Sequence, residues 1–123
     1  MTDKTDILAA LTTLPGEIKA IEESMLDKSS KIETMQLKLD LIELGTRNEV
    51  ESETDMEGKK LYSNDLKRKV EADSRLQKND DFRHMLDEMK ELKRQLKIDD
   101  IMASYKKRVF SATQAIAQVL YSR

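Results

Sequence analysis

The chain offers few side chains for chemistry. His84 is the single histidine and cysteine is absent. A Ser–His–Asp triad would have to be built on His84 alone, and a thiolate or multi-histidine metal site is excluded within one subunit. His84 precedes Met85-Leu86 on a charged, helix-patterned stretch, where a surface imidazole is the ordinary outcome. No Gly-rich phosphate loop, HExxH motif or nucleophile elbow is present. The acidic run Glu49, Glu51, Glu53, Asp55, Glu57 lacks the order of ligands and glycine that an EF-hand needs, and reads as a solvated loop. The expectation is therefore no catalytic residue, no metal site and no cofactor: not an enzyme.

Cations form the other candidate group. Lys59, Lys60, Lys67, Arg68, Lys69 and Arg75 cluster in mid-chain, and Lys106, Lys107 and Arg108 lie in a segment, residues 101–123, without any acid. Such clusters suit phosphate contacts. Against this, residues 59–80 also hold Asp65, Glu71, Asp73 and Asp80, and no aromatic ladder for single strands is visible. Complementing the acidic first half is the simpler role for these residues.

The elements that would carry these groups are long helices. The chain has 123 residues, 37% charged, 38% hydrophobic and 4% aromatic, with one Pro and three Gly. That composition belongs to amphipathic helices and not to an enzyme-sized core. Its length fits one domain. Ile7, Leu11, Leu14, Ile18, Ile21, Met25, Lys28, Ile32, Met35, Leu39 and Ile42 follow alternating steps of four and three, with only Lys28 polar. Pro15 suggests a short helix over 4–13 followed by a long one over 15–44, and Gly45 is the expected stop. Residues 45–62 read as a mobile acidic loop. Ser63-Asn64-Asp65 are capping types that restart a helix, and Asn79-Asp80-Asp81 offers a second cap or a mere exposed turn.

From Phe82 a second stripe runs through Met85, Met89, Leu92 and Leu96, then shifts by one residue to Ile98, Met102, Tyr105, Val109, Ala112, Ile116 and Val119. A phase change of this kind marks a supercoil defect or a change of packing partner. Residues 1–58 carry a net charge of −8 and residues 59–123 a net charge of +6. Opposite charge and matched lengths, roughly 57 and 60 Å, predict an all-α fold: a long antiparallel helical hairpin with coiled-coil packing, assembling further into a bundle. Its parts are an acidic arm (1–44), the loop (45–62) and a basic arm (63–123). In that register Ile42 lies near Phe82, Ile7 near 117–120, and Lys28 meets Asp99 or Asp100.

Two helices leave much apolar surface uncovered: the far sides of Leu26, Leu37, Leu41, Leu44, Leu86, Ile101, Phe110 and Leu120. Ile98, Ile101, Met102, Tyr105, Val109, Phe110, Ile116 and Leu120 are the expected interface, either with further copies of the chain (a dimer or higher) or with a protein partner. Methionines on the stripes fill core or adapt to a partner. No run approaches the roughly 18 apolar residues of a membrane span, and the N-terminus lacks a secretory pattern. A cytoplasmic protein is the expectation, with membrane-surface binding through 101–123 a weaker alternative.

Residues 59–110 also carry a family resemblance. Lys60-Leu61-Tyr62-Ser63-Asn64, then Lys67-Arg68, Asp80-Asp81-Phe82 and Tyr105-Lys106-Lys107-Arg108-Val109-Phe110 resemble small coiled-coil proteins of phages and prophages. In that group a similar opening precedes a long helix, and the genes sit among replication and recombination functions. The resemblance implies a non-catalytic accessory factor acting by contact on a protein partner, with a nucleic-acid-binding accessory as the alternative. Prefoldin-like subunits share two long helices, but their β-hairpins need alternating Val/Ile/Thr runs that 45–62 lack.

Overall fold

The computed structural model describes residues 3–122. The fold is all-α: α1 spans Lys4–Ser52, α2 Asp65–Lys78 and α3 Asp80–Tyr121, and the helices pack against one another. No strand occurs among the described residues, only an isolated bridge between Thr54 and Lys60. They divide into two compact units: those up to Ser30 with those from Lys93 onward, and Lys31–Leu92.

α1 is one helix, not the two that Pro15 suggested. Pro15 lies on the exposed side while Ile7 and Leu14 are buried and Ile18 half-buried. Continuing the apolar row outweighs the hydrogen bond that proline removes. Nor does Gly45 end the helix, which runs on to Ser52. Thr46 and Val50 prolong the inward row beyond Ile42, and Val50 is fully buried. Burial of a valine here overrides the weak stop signal of a lone glycine.

In the unit Lys31–Leu92, Leu39, Leu76, Phe82 and Met89 form the core, with Ile32, Met35, Ile42, Met85 and Leu86 packed against it. Ile42 therefore shares a cluster with Phe82, as the charge-and-stripe register predicts. The connection after α1 is 53–64, shorter than the expected loop, and it is tied down. Asp55 Oδ1 accepts from the backbone N–H groups of Glu57 and Lys59 at 2.8 and 2.9 Å, and Asp55 N–H donates to the Lys59 carbonyl at 2.7 Å. Gly58 closes this turn at φ 80°, a left-handed conformation that glycine adopts without a Cβ clash. Acidic side chains thus serve the turn as hydrogen-bond acceptors.

Asn64 caps α2 by accepting from Lys67 N–H at 2.8 Å. Asn79 separates α2 from α3: its N–H donates to Leu76 O at 3.1 Å, while its side chain accepts from Phe82 N–H at 3.1 Å. The second cap is therefore present, and it starts a new helix.

In the other unit, Ile7, Leu14 and Ala103 are buried. Lys28 pairs with Asp99, Glu17 with Lys106 at 2.7 Å and Glu22 with Lys107 at 3.6 Å. Lys4 lies over the Tyr121 ring, 5.2 Å from its centroid.

Candidate functional site

The inward row of α3 departs from the sequence expectation in one consequential way. Buried and half-buried residues run Phe82, Met85, Met89, Leu92, Leu96, Asp99, Ala103, Lys106, Phe110, Thr113, Ala117, in unbroken steps of three and four. Inward packing does not follow the apolar stripe when that stripe shifts at Ile98. Turning it inward would require rotating a rigid helix by about 100° past α1, one residue's step. Instead the row keeps its phase with small residues, a threonine and ion-paired side chains.

The displaced apolar residues are left on the surface. Ile98, Ile101, Met102, Tyr105, Ile116, Val119 and Leu120 are exposed, with Ile101 at 66%, Tyr105 at 61% and Val119 at 68% of full exposure. With Val109 and Ala112 between Tyr105 and Ile116, they occupy a face of α3 centred about 100° from the inward row. Of the eight expected interface residues, Ile98, Ile101, Met102, Tyr105, Ile116 and Leu120 share this face. Val109 lies within it, half-buried. Phe110 belongs to the inward row and is half-buried, so it leaves the set; Leu86, expected uncovered, likewise packs on the core. Leu26, Leu37, Leu41 and Leu44 of α1 are exposed, as expected, but they stand on the other helix.

The signal for the inward row was present but was overridden. Counting on from Phe82 without a shift lands on Ala103 and Ala117, whose small size permits close helix approach, and on Asp99 and Lys106, whose charges find partners on α1.

Three of the eight expected phosphate-contacting cations are ion-paired within the chain. Arg68 bonds the Tyr62 carbonyl at 3.2 Å and pairs with Asp65. Lys106 and Lys107 pair with Glu17 and Glu22. Lys59, Lys60, Lys67, Lys69 and Arg108 are exposed. Lys69 and Arg68 line a cleft of about 330 Å³ that they share with Arg47, Glu51, Asp65 and Asp73, so its charge is mixed. His84 is exposed beside Asp80, Arg83 and Asp87. Among the described residues no group of three or more His, Cys, Asp or Glu side chains is arranged to hold a metal ion. No helix among them is long and apolar enough to cross a membrane.

One structural contact is not singled out by the sequence. Arg75 on α2 forms a fork with Glu53, Nη1 and Nη2 reaching its two carboxylate oxygens at 2.7 and 2.6 Å, and its Nε bonds Glu71 at 2.9 Å. Hydrogen bonding to Arg75 holds the Glu53 carboxyl below its ordinary 4.5, against a smaller opposing effect of desolvation. Glu53 and Glu71 in turn push the Arg75 guanidinium further toward its charged form. With Leu61 N–H donating to Glu53 O at 3.0 Å, this latch fixes the connecting turn on α2. Glu53 stands in a run of acids, so its sequence context does not single it out.

Comparison with protein-family models, curated proteins and solved structures gave no match to this chain.

Proposed function

We propose that the chain is a non-catalytic helical interaction protein that binds another protein through the exposed face of α3 between Ile98 and Leu120. The observation carrying this reading is the apolar face itself, a row of large aliphatic and aromatic side chains facing solvent beside a complete inward row. Apolar surface of this extent and continuity marks an association site. The two long helices supply its rigid base. Their pairing as an antiparallel hairpin with coiled-coil packing is supported by the order of the contacts: Lys4 with Tyr121, Glu17 with Lys106 and Lys28 with Asp99. The phage-protein resemblance of residues 59–110 favours an accessory role exerted by contact.

Nucleic-acid binding is the second reading, favoured by the exposed Lys59, Lys60, Lys67, Lys69 and Arg108. The internal pairing of Arg68, Lys106 and Lys107 weighs against it.

Light scattering on the full chain, run beside a salt series with labelled single- and double-stranded DNA, separates the two. Protein–protein association without DNA binding at low salt is the expected result. A monomer that binds DNA with an affinity falling steeply as salt rises overturns the first reading in favour of the second.

A further inference from the structure

We infer that the exposed face of α3 is covered by a second copy of this chain, in a face-to-face dimer where α3 of each copy lies along α1 of the other. This rests on the reading of that face as a protein-interaction surface, and it specifies the occupant and the orientation.

Area makes a second copy sufficient. The exposed apolar side chains of the face sum to on the order of 800 Å², the share each partner contributes to a standard stable interface. Two copies related by a two-fold axis bring this surface from both sides.

Shape favours α1 as the element opposite. Glu17 and Lys106 pair on the side of the unit that carries the exposed face, and Glu22 and Lys107 pair on the other side. On the first side, α1 presents Ala10, Thr13, Glu17, Ala20 and Ser24, at the three- and four-residue spacing of one helix flank. Glu17 apart, that flank is a shallow strip of small side chains, beside a ridge of large ones on α3. Two such surfaces turned face to face set each ridge on the other copy's strip.

Charge excludes the obvious alternative, α3 on α3. Residues 101–122 contain Lys106, Lys107 and Arg108 and no acid, and the face is centred near Val109. An antiparallel α3 pair would bring Arg108 against its own copy at the centre, with no carboxylate from either segment to offset it. Laid on α1, the same arginine comes level with Glu17.

Register follows from the symmetry. A two-fold axis parallel to the helices leaves heights unchanged, so each α3 residue meets the second copy's α1 at the level it already occupies on its own. The Lys4–Tyr121 and Lys28–Asp99 contacts fix those levels. Ile116 then falls over Ala10, and Tyr105 over Ala20, of the second copy.

Because the chain has no cysteine, engineered thiols are the only ones present. Ala10→Cys and Ile116→Cys are made singly, checked for helicity by circular dichroism, mixed, and oxidised in a glutathione buffer; Val109→Cys is oxidised alone. The expected result is a disulfide linking the Ala10→Cys and Ile116→Cys chains, identified by mass spectrometry, since only facing helices bring two Cβ atoms into bonding range. In addition, Arg108→Glu weakens dimerisation about tenfold or more by setting a carboxylate beside Glu17. A dimer that gives the Val109→Cys homodisulfide, or neither cross-link, overturns this arrangement but leaves the interaction face standing. A sedimentation mass of one 14.2 kDa chain at all concentrations overturns the second-copy occupant. If Tyr105→Asp also leaves the apolar-dye binding of that monomer unchanged, the interaction reading falls with it.

Discussion

Lys28 of α1 and Asp99 of α3 form an ion pair in which each side chain keeps only 18% of its solvent exposure. Lys28 is the one charged member of the α1 row from Ile7 to Val50, and it meets α3 where the apolar stripe leaves the inward row. The lysine that interrupts the stripe and the aspartate that replaces an apolar residue at the inward position are thus a single feature. A pair so placed favours one alignment of the two helices, since sliding either by a turn strands a charge among apolar side chains.

Removing one partner should therefore cost more than removing both. Asp99→Ala is expected to lower stability by about 1–3 kcal/mol, because Lys28 is left without its acceptor. Replacing both by leucine should restore or exceed wild-type stability, as apolar substitutes do for partly buried pairs. Urea denaturation of the two singles and the double measures the coupling; a double variant less stable than either single contradicts this account.

Ala103 is 3% exposed in the inward row, whereas its neighbour Met102 is exposed. Ala103→Leu is expected to destabilise the fold by about 1–3 kcal/mol through overpacking. Met102→Leu should change the stability of the isolated chain by less than about 0.5 kcal/mol. Thermal melts at low concentration distinguish the two, and equal effects would place the inward row elsewhere.

The Glu53–Arg75 latch carries a pH signature. Its carboxyl has a lowered folded-state pKa, so its contribution is present above the unfolded value of 4.5 and is lost as pH falls through the lower folded value. Hydrogen exchange of the backbone around 54–61 should accelerate across that acidic window. Glu53→Gln should already show the faster exchange at neutral pH, with α3 unaffected; an unchanged profile would mean the turn holds itself.

Gly58 stands at φ 80° in that turn. Nothing crowds its missing Cβ, so Gly58→Ala is a matter of backbone strain alone. A loss of about 1–2 kcal/mol is expected from chemical denaturation. Gly45→Ala, inside α1, should instead stabilise the chain by up to about 1 kcal/mol.

Much of the framework was legible in the residues. The stripe from Ile7 to Ile42, the Lys28–Asp99 contact, the Asn64 cap and the nearness of Ile42 to Phe82 all follow from period, charge and capping chemistry. The misses share a cause: local signals were weighed without the burial that opposes them. Pro15 and Gly45 read as breaks, yet Leu14 and Val50 keep α1 continuous. In α3 the hydrophobic pattern and the packing phase part company at Ile98, and composition alone follows the hydrophobic residues. The same departure leaves the candidate face exposed, although several of its residues also belong to the stripe expected to form the hairpin seam. The Glu53–Arg75 fork joins residues far apart in sequence within a charge-rich region, where no pattern distinguishes one acid from another.

Sedimentation equilibrium of the full chain at micromolar concentration, beside Tyr105→Asp, tests the central claim that copies of this chain associate through the outward face of α3. The account predicts a wild-type mass above the 14.2 kDa of one chain and a return to that mass in the variant, with its helical circular dichroism retained. A wild-type mass equal to one chain, or an assembly that Tyr105→Asp leaves intact, would contradict it.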